Sequence, residues 1–386
     1  MRRSAAGCSR PNETLSEAFF CQPEVRREPV AITAPREFHR RLPDYTPTPL
    51  RNAPEIARAL GIKELLLKDE SSRLGLPAFK ILGASWATYR MLQARVGTSL
   101  APWQTTGELV AKFAPLRPLC LTTATDGNHG RAVAHIAALF GFEARIYVPE
   151  GTAQARIEGI EREGAEVIVV SGTYDDAVAR AAADASEDCL VVSDTSWPGY
   201  EEIPHWVIEG YSTIFAEIEE QLAARNEETP DLIAVQFGVG ALAAALVRHR
   251  WRDRQPKILS VEPLRAACAL ASVQAGEIVE VPGPHDSIMA GLNCGRVSLV
   301  AWPIISRGIN GFIALPDERA RAAMRALAEI GVVAGETGAA GLAGLMEALQ
   351  LPEARECLKI DDQTRALLIV TEGATDPISY EQIVRC

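Results

Sequence analysis

Lys80 is the residue in this sequence whose surroundings best suit a chemical task. It lies in the apolar stretch 78–82 (AFKIL), which should keep water away from the amine. Desolvation disfavours the ammonium form, so we expect a lowered pKa and a free amine that can attack a carbonyl group to form an imine. Taken alone, the commoner interpretation is a lysine whose stem packs while its charged end reaches water.

A turn of small polar residues is the second candidate. Residues 123–130 (TATDGNHG) lie between a strand-like run and a segment with apolar residues at helical spacing. At the end of a parallel strand, Asp126 and Asn128 would point toward a ligand above the sheet edge. The alternative is a capping turn, in which either side chain binds the first free N–H groups of the helix.

A glycine loop is the third candidate, and it consists of Gly238, Val239, Gly240 and Ala241. It follows a β-rich run and opens a helix. Glycines allow close approach to the backbone, and a helix N-terminus offers N–H donors and a positive dipole end. The loop therefore predicts a phosphate site, although a turn without a ligand is also compatible.

The same loop allows a different function. It matches the G-x-G-x-x-A pattern of dinucleotide sites, and Glu262 ends the next strand-like run. An NAD-dependent dehydrogenase is therefore the alternative from another class of enzyme. Against it, the pattern usually opens the first βαβ unit of a domain, whereas several strand-like runs precede it here.

Two further polar turns follow strand-like runs. Residues 193–200 (SDTSWPGY) contain Asp194, and residues 371–377 (TEGATDP) begin with Thr371. Strand ends are the usual position of ligands in open α/β sheets, although either turn can be a plain loop.

Strand-like and helix-like segments alternate from about residue 47 onward. The β-rich runs are 64–68, 119–122, 144–148, 166–170, 190–193, 232–236, 257–262 and 366–370. This alternation predicts an α/β fold with mainly parallel sheets that helices cover on both sides. With 386 residues the chain should form two lobes, and we expect residues 1–40 to form an irregular N-terminal arm.

Composition excludes several classes of protein. The net charge of −11 argues against binding nucleic acid or anionic lipid. No run is long and apolar enough for a membrane span or a signal peptide, and early acidic residues disfavour a transit peptide. The eight cysteines form no C-x-x-C pair and have no zinc-like spacing to histidine, so we expect no metal and a cytoplasmic location.

Together and in this order, these segments resemble the fold-type-II pyridoxal-phosphate enzymes, which are tryptophan-synthase-β-like, and in particular the diaminopropionate ammonia-lyases. The resemblance covers about residues 40–380. The motifs that carry it are YTPTPL (45–50), KDES (68–71), AFK (78–80), TDGNHGR (125–131), YDD (174–176), DTSWPGY (194–200), GVGA (238–241), GETGA (335–339) and TEG (371–373).

The resemblance implies how pyridoxal 5'-phosphate would be held. Lys80 would carry the cofactor covalently, and the loop from Gly238 to Ala241 would hold its phosphate. Asn128 would contact the phenolic oxygen, and Thr371 would face the pyridine nitrogen. The resemblance also implies a large cofactor-binding domain (residues 41–90 plus 220–386), a small mobile domain (91–219) and a homodimer.

The resemblance further places Asp126 and Asp194 beside an amino-acid substrate. The implied reaction is α,β-elimination, most simply of 2,3-diaminopropionate to pyruvate and ammonia. Three residues depart from the pattern: Pro77 in place of asparagine, Phe237 in place of a small residue, and Ala374 in place of an acidic one. Because they should lie near the cofactor, they bear on the identity of the substrate, and a serine or threonine dehydratase-like lyase is the alternative. A catalytically silent ligand-binding relative that has kept the fold is a further alternative, of another class.

Overall fold

Two β-sheets organise the chain in this computed structural model, which describes residues 16–21, 33–97 and 102–385. The strands of these residues are β1 (Glu17–Phe20), β2 (Leu50–Asn52), β3 (Glu64–Asp69), β4 (Cys120–Ala124), β5 (Glu143–Pro149), β6 (Glu166–Val170), β7 (Cys189–Val191), β8 (Leu232–Gln236), β9 (Lys257–Pro263), β10 (Gly311–Leu315) and β11 (Arg365–Val370).

Helices cover both sheets. They are α1 (Ala34–His39), α2 (Pro54–Leu60), α3 (Ile81–Val96), α4 (Thr106–Phe113), α5 (Asn128–Phe140), α6 (Gln154–Glu161), α7 (Tyr174–Ala183), α8 (Glu202–Ala224), α9 (Ala241–Arg248), α10 (Cys268–Ala275), α11 (Trp302–Ile305), α12 (Asp317–Glu329), α13 (Ala340–Ala348), α14 (Pro352–Leu358) and α15 (Pro377–Arg385). Among the helices of the described ranges, none has the length and apolar character needed to cross a membrane.

The larger sheet has the strand order β1-β10-β9-β8-β11-β3-β2. Its five inner strands run parallel, and the edge strands β1 and β2 are antiparallel to their neighbours. The inner strands are almost continuously apolar and buried because helices cover both faces. The smaller sheet has the order β6-β5-β4-β7 and is wholly parallel.

The predicted α/β fold with two mainly parallel sheets is confirmed, and every predicted strand has a counterpart. The structure adds β1, β2 and β10, which the alternation of segments did not indicate. The prediction of an irregular arm over residues 1–40 is wrong for two stretches. Residues 17–20 form β1, which pairs with β10, and residues 34–39 form α1, because Phe19 and Phe38 pack on the apolar core.

Lys80 is held between the two sheets by the packing of α3 on α8. Gly83 and Gly210 allow this close approach, since a Cβ on Gly210 would lie 2.8 Å from the Cα of Gly83. The segment before Lys80 is tied to α8 by buried ion pairs. Glu217 accepts from Lys68 Nζ at 2.8 Å and from Arg73 Nη1 at 2.7 Å.

Candidate active site

One cavity collects loops that follow strands of both sheets. Its walls come from the segments after β4 and β7 of the smaller sheet and after β8 and β11 of the larger one. All nine predicted site residues line it, namely Lys80, Asp126, Asn128, Asp194, Gly238, Val239, Gly240, Ala241 and Thr371. Residues separated by up to 291 positions, from Lys80 to Thr371, therefore share one cavity.

Lys80 immediately precedes α3 and points into the cavity. Its Nζ donates to Oδ2 of Asp194 at 2.5 Å. Burial alone would lower the pKa of this amine, but the Asp194 carboxylate outweighs burial and the pKa is raised. The expectation of a lowered pKa and a free amine is therefore wrong for this structure. A charged partner, which the apolar frame of Lys80 did not indicate, decides the protonation state.

Asp194 is buried and accepts from two sides. Tyr174 donates its hydroxyl to Oδ1 at 3.3 Å, while Lys80 occupies Oδ2. Burial would raise the pKa of Asp194, but Lys80 and the nearby His129 lower it overall. His129 Nε2 lies 2.8 Å from the carbonyl oxygen of Val192, and its Nδ1 faces Asp194 at 3.9 Å. Asp194 is therefore an ionised carboxylate placed to pair with a cation.

Asp126 lies in the turn between β4 and α5, on another wall of the cavity. Burial raises its pKa, and the charges of Arg156 and Lys80 only partly oppose this effect. Arg156 Nη1 lies 3.8 Å from Asp126 Oδ2, and its stem packs over the backbone of Gly127. Asp126 Oδ2 has no hydrogen-bond partner within the described residues. A carboxyl group in this state can act as a base.

Asn128 begins α5, and its side-chain amide donates to the carboxylate of Glu372. The other oxygen of Glu372 accepts from the backbone N–H of Thr337 at 3.2 Å. Glu372 is buried and lines the cavity, although it was not among the predicted site residues. Its position directly after Thr371, in a motif that follows a strand, is the signal that could have identified it.

The glycine loop lies between β8 and α9. Gly240 has φ +100°, and a Cβ there would lie 2.6 Å from the ring of Phe237. A Cβ on Gly238 would lie 2.9 Å from the carbonyl oxygen of Gly291. The loop therefore presents bare backbone at the start of α9, where N–H groups and the helix dipole suit a phosphate.

Glu262 argues against a dinucleotide at this loop. It is fully buried, and its two oxygens accept from the backbone N–H groups of Ala269 at 2.7 Å and Leu270 at 2.9 Å. The carboxyl group thus caps α10 and does not face the cavity. It cannot bind a ribose hydroxyl without giving up that cap, so the dehydrogenase interpretation loses its acidic residue.

The three departures from the expected pattern lie outside the cavity wall as far as the structure describes it. Phe237 is fully buried beneath the glycine loop. The carbonyl oxygen of Pro77 accepts from the N–H of Gly373 at 3.0 Å. Phe237 and Pro77 therefore support the backbone of the site rather than form its wall.

A family model confirms the class of protein that this fold and cavity indicate. The model for pyridoxal-phosphate dependent enzymes matches residues 42–372, which is most of the chain. The match includes every predicted site residue.

Relatives identify a narrower group. A diaminopropionate ammonia-lyase from Salmonella typhimurium is 37% identical over 366 residues, covering 90% of each protein. The crystal structure of the Escherichia coli diaminopropionate ammonia-lyase in complex with D-serine superposes with a TM-score of 0.86 at 33% identity, covering 96% of this chain and 97% of that one. An L-threonine dehydratase from Mycobacterium leprae is 28% identical over 349 residues, 89% of this chain and 71% of that protein. The chain therefore belongs to the diaminopropionate ammonia-lyase family of pyridoxal-phosphate dependent enzymes.

The residues present fit pyridoxal phosphate. The glycine loop offers a cradle that a Cβ would obstruct, and four buried polar atoms around the cavity have no hydrogen-bond partner among the described residues. They are Asp126 Oδ2, His129 Nδ1, Tyr211 OH and Gln236 Oε1. A cavity with a phosphate cradle, a lysine and polar atoms that lack hydrogen-bond partners suits a polar cofactor together with a charged substrate.

Proposed function

We propose that this chain eliminates ammonia from 2,3-diaminopropionate, with pyruvate and ammonia as products. The observation that carries the proposal is the buried Asp194 carboxylate, which pairs with the Lys80 ammonium at 2.5 Å. When Lys80 is joined to the cofactor, Asp194 needs another cation. The β-ammonium of diaminopropionate supplies one, whereas the hydroxyl of serine or threonine is neutral.

The cofactor contacts are proposed as follows. The backbone N–H groups of Gly238, Val239, Gly240 and Ala241 hold the phosphate at the start of α9. Asn128 contacts the phenolic oxygen, with its amide oriented by Glu372. Thr371 faces the pyridine nitrogen, and Lys80 forms the covalent link. When bound, pyridoxal phosphate withdraws electrons from the α-carbon of the attached amino acid.

Two bases on opposite sides of the substrate handle the α-proton. The amine of Lys80 would take the α-proton of one enantiomer. A substrate of opposite hand presents its α-proton to the other face, where Asp126 takes it. The raised pKa of Asp126 suits this role, because a base must hold the proton it has accepted. The D-serine bound to the Escherichia coli relative supports a site that admits D-amino acids.

Asp194 acts on the leaving group. Its carboxylate holds the β-amino group in the protonated form, so that the C–N bond breaks with neutral ammonia as the leaving group. Hydrolysis of the remaining three-carbon enamine then gives pyruvate and a second ammonia. His129 and Tyr174 keep Asp194 in place from two sides.

Release of ammonia and a keto acid from the D and L forms of 2,3-diaminopropionate, serine and threonine tests the proposal; the keto acid is pyruvate for the first two substrates and 2-oxobutanoate for threonine. We expect the highest kcat/KM for diaminopropionate. A preference for serine or threonine would instead support the dehydratase-like alternative, which the threonine dehydratase relative motivates. No turnover of any substrate despite a bound cofactor would support a silent ligand-binding relative.

Covalent attachment is tested separately. The purified protein should absorb in the visible range, and borohydride reduction followed by peptide mapping should find the cofactor on Lys80. Lys80→Ala should lose the link. Labelling of another lysine, for example Lys68 in its buried ion pair, would contradict the assignment.

We further infer a cytoplasmic homodimer with a mobile small domain of residues 91–219. The small parallel sheet, β4 to β7, falls wholly inside that range, which supports it as a separate unit. The free thiols of the described cysteines agree with a reducing compartment. The dimer rests on the resemblance to the family alone. Sedimentation analysis of the loaded protein checks it, since a monomer would contradict it.

A further inference from the structure

Gln236 ends β8 and is almost fully buried beside β11. Its Nε2 lies within hydrogen-bond distance of four oxygens. They are the backbone carbonyl oxygens of Ile369 at 2.8 Å, Thr337 at 3.1 Å and Gly338 at 3.1 Å, and Thr371 Oγ1 at 3.2 Å. Carbonyl oxygens only accept hydrogen bonds, so the nitrogen of the amide must face this group. The orientation of Gln236 is therefore determined by its neighbours.

This orientation determines what the Thr371 hydroxyl can do. An amide nitrogen does not accept hydrogen bonds, so at this contact Thr371 Oγ1 accepts and Gln236 donates. The hydroxyl hydrogen of Thr371 must then point elsewhere. Thr371 is 2% exposed and lines the cavity, and no described residue accepts from its hydroxyl. The hydrogen is thus available to a group inside the cavity.

We propose that Gln236 is a positioning residue that keeps the Thr371 hydroxyl as a donor toward the pyridine nitrogen of the cofactor. The proposal rests on the function proposed above. A ring nitrogen that accepts from a neutral hydroxyl stays unprotonated, because the same lone pair cannot also bind a proton. Without Gln236, the Thr371 hydroxyl can rotate and accept, and a protonated ring then becomes acceptable to the site.

The test compares Gln236→Met, Thr371→Val and the double variant. Gln236→Met keeps the length of the side chain but removes its donor, and Thr371→Val removes the hydroxyl at the same shape. Readouts are the affinity for pyridoxal phosphate, by fluorescence titration, and the pH dependence of the visible absorption band. We expect Gln236→Met to lose about tenfold in affinity and to shift the pH dependence of the band.

The double variant separates positioning from structural support. If Gln236 acts through Thr371, adding Gln236→Met to Thr371→Val should change the band no further. Additive effects on the band, or an unchanged band and affinity in Gln236→Met, would overturn the proposal. Gln221→Met is the matched control, because Gln221 also donates to a backbone carbonyl, that of Thr48 at 2.8 Å, away from the cavity.

Gln236→Glu is a second variant that tests the proposal if Gln236→Met does not fold. Gln236→Glu keeps the shape, and its protonated form retains one donor, so its affinity for the cofactor should fall as the pH rises. A pH-independent affinity equal to that of the parent would contradict the proposal. A parent protein without any visible band would contradict the proposed function itself. A parent with the band and a Gln236→Met variant without the expected changes would contradict only the role of Gln236.

Discussion

Asp126 and Asp194 share one cavity, yet their surroundings give them different properties. The Lys80 ammonium keeps Asp194 ionised, because Lys80 Nζ lies 2.5 Å from Asp194 Oδ2. For Asp126, burial raises the pKa, and the charges of Arg156, at 3.8 Å, and of Lys80 only partly oppose this effect. An ionised carboxylate suits the binding of a cation, and a carboxylate with a raised pKa suits the acceptance of a proton. The proposed division of work between them follows from this difference.

Asp126→Asn tests the proton-accepting role. The amide cannot take a proton, so turnover of D-diaminopropionate should fall by about a hundredfold or more while turnover of the L form is largely kept. Steady-state rates on both enantiomers measure this. The L enantiomer is the control within the same variant. Equal losses for the two enantiomers would show that Asp126 does not act on one face of the substrate.

Asp194→Asn tests the cation-binding role. The amide keeps the shape of the side chain but loses the negative charge that the β-ammonium needs. The kcat/KM for diaminopropionate should therefore fall at least about tenfold more than the value for serine. Parallel losses for both substrates would mean that Asp194 serves the α-carbon chemistry or the cofactor instead.

The sequence motifs predicted residues that line one cavity, but not their charge states. Lys80 and Asp194 are 114 positions apart, and no local pattern indicates that they meet. An apolar frame alone predicts a neutral amine, whereas the partner from the other sheet reverses the direction of the pKa shift. Arg156 and Glu372 were missed for the same reason, because their importance depends on contacts across the fold.

At the scale of elements, the glycine loop and α9 form a unit. The loop turns sharply at Gly240, with φ +100°, and Phe237 fills the space beneath it. This packing leaves the backbone uncovered on the cavity side and brings the start of α9 to the same place. A phosphate bound there would meet N–H groups rather than side chains, and a Cβ at Gly238 or Gly240 would not fit without a shift of its neighbours.

Gly240→Asp should abolish cofactor binding, because it places both bulk and negative charge at the phosphate position. We expect loss of the visible band with an unchanged far-ultraviolet dichroism spectrum. Gly276→Asp is the matched control, since Gly276 also has a positive φ, +77°, but nothing lies within 4 Å of a Cβ there. Normal cofactor affinity in Gly240→Asp, or tight NAD binding by the parent, would favour a dehydrogenase.

The strands of the two sheets could be predicted because buried parallel strands are short apolar runs bounded by turns. Three strands, β1, β2 and β10, were not predicted. β1 and β2 are antiparallel edge strands of four and three residues, which give too little periodicity to recognise. β10 (Gly311–Leu315) begins with a glycine and follows another apolar segment, so its boundaries were not visible in the sequence.

At the scale of the whole molecule, two buried groups make stability depend on pH in opposite directions. His39 bridges α3 and α8 through Leu82 O and Thr213 Oγ1. Burial at this position lowers its pKa to about 3. Burial also raises the pKa of Glu262 to about 8. Both groups are therefore neutral in the folded chain over a pH range in which the unfolded chain would charge them.

The sign of each contribution determines the predicted profile. His39 has a depressed folded pKa, so its contribution is complete above about pH 6.5 and is lost as the pH falls toward 3. Glu262 has a raised folded pKa, so its contribution is complete below about pH 4.5 and is lost as the pH rises toward 8. Each slope approaches about 1.4 kcal/mol per pH unit between the unfolded and folded pKa values.

Denaturant unfolding at pH 5, 6.5 and 8 measures the two contributions in matched variants. His39→Gln should flatten the loss of unfolding free energy between pH 6.5 and 5, and Glu262→Gln should flatten the loss between pH 6.5 and 8. His135→Gln, on the partly exposed face of α5, is the control for removal of a histidine. Both His39→Gln and Glu262→Gln remove hydrogen bonds and should be less stable at every pH. The quantity to compare is therefore the change of the unfolding free energy with pH, not its value at one pH. A His39→Gln profile parallel to that of the parent would show that the folded chain protonates His39 as readily as the unfolded chain does.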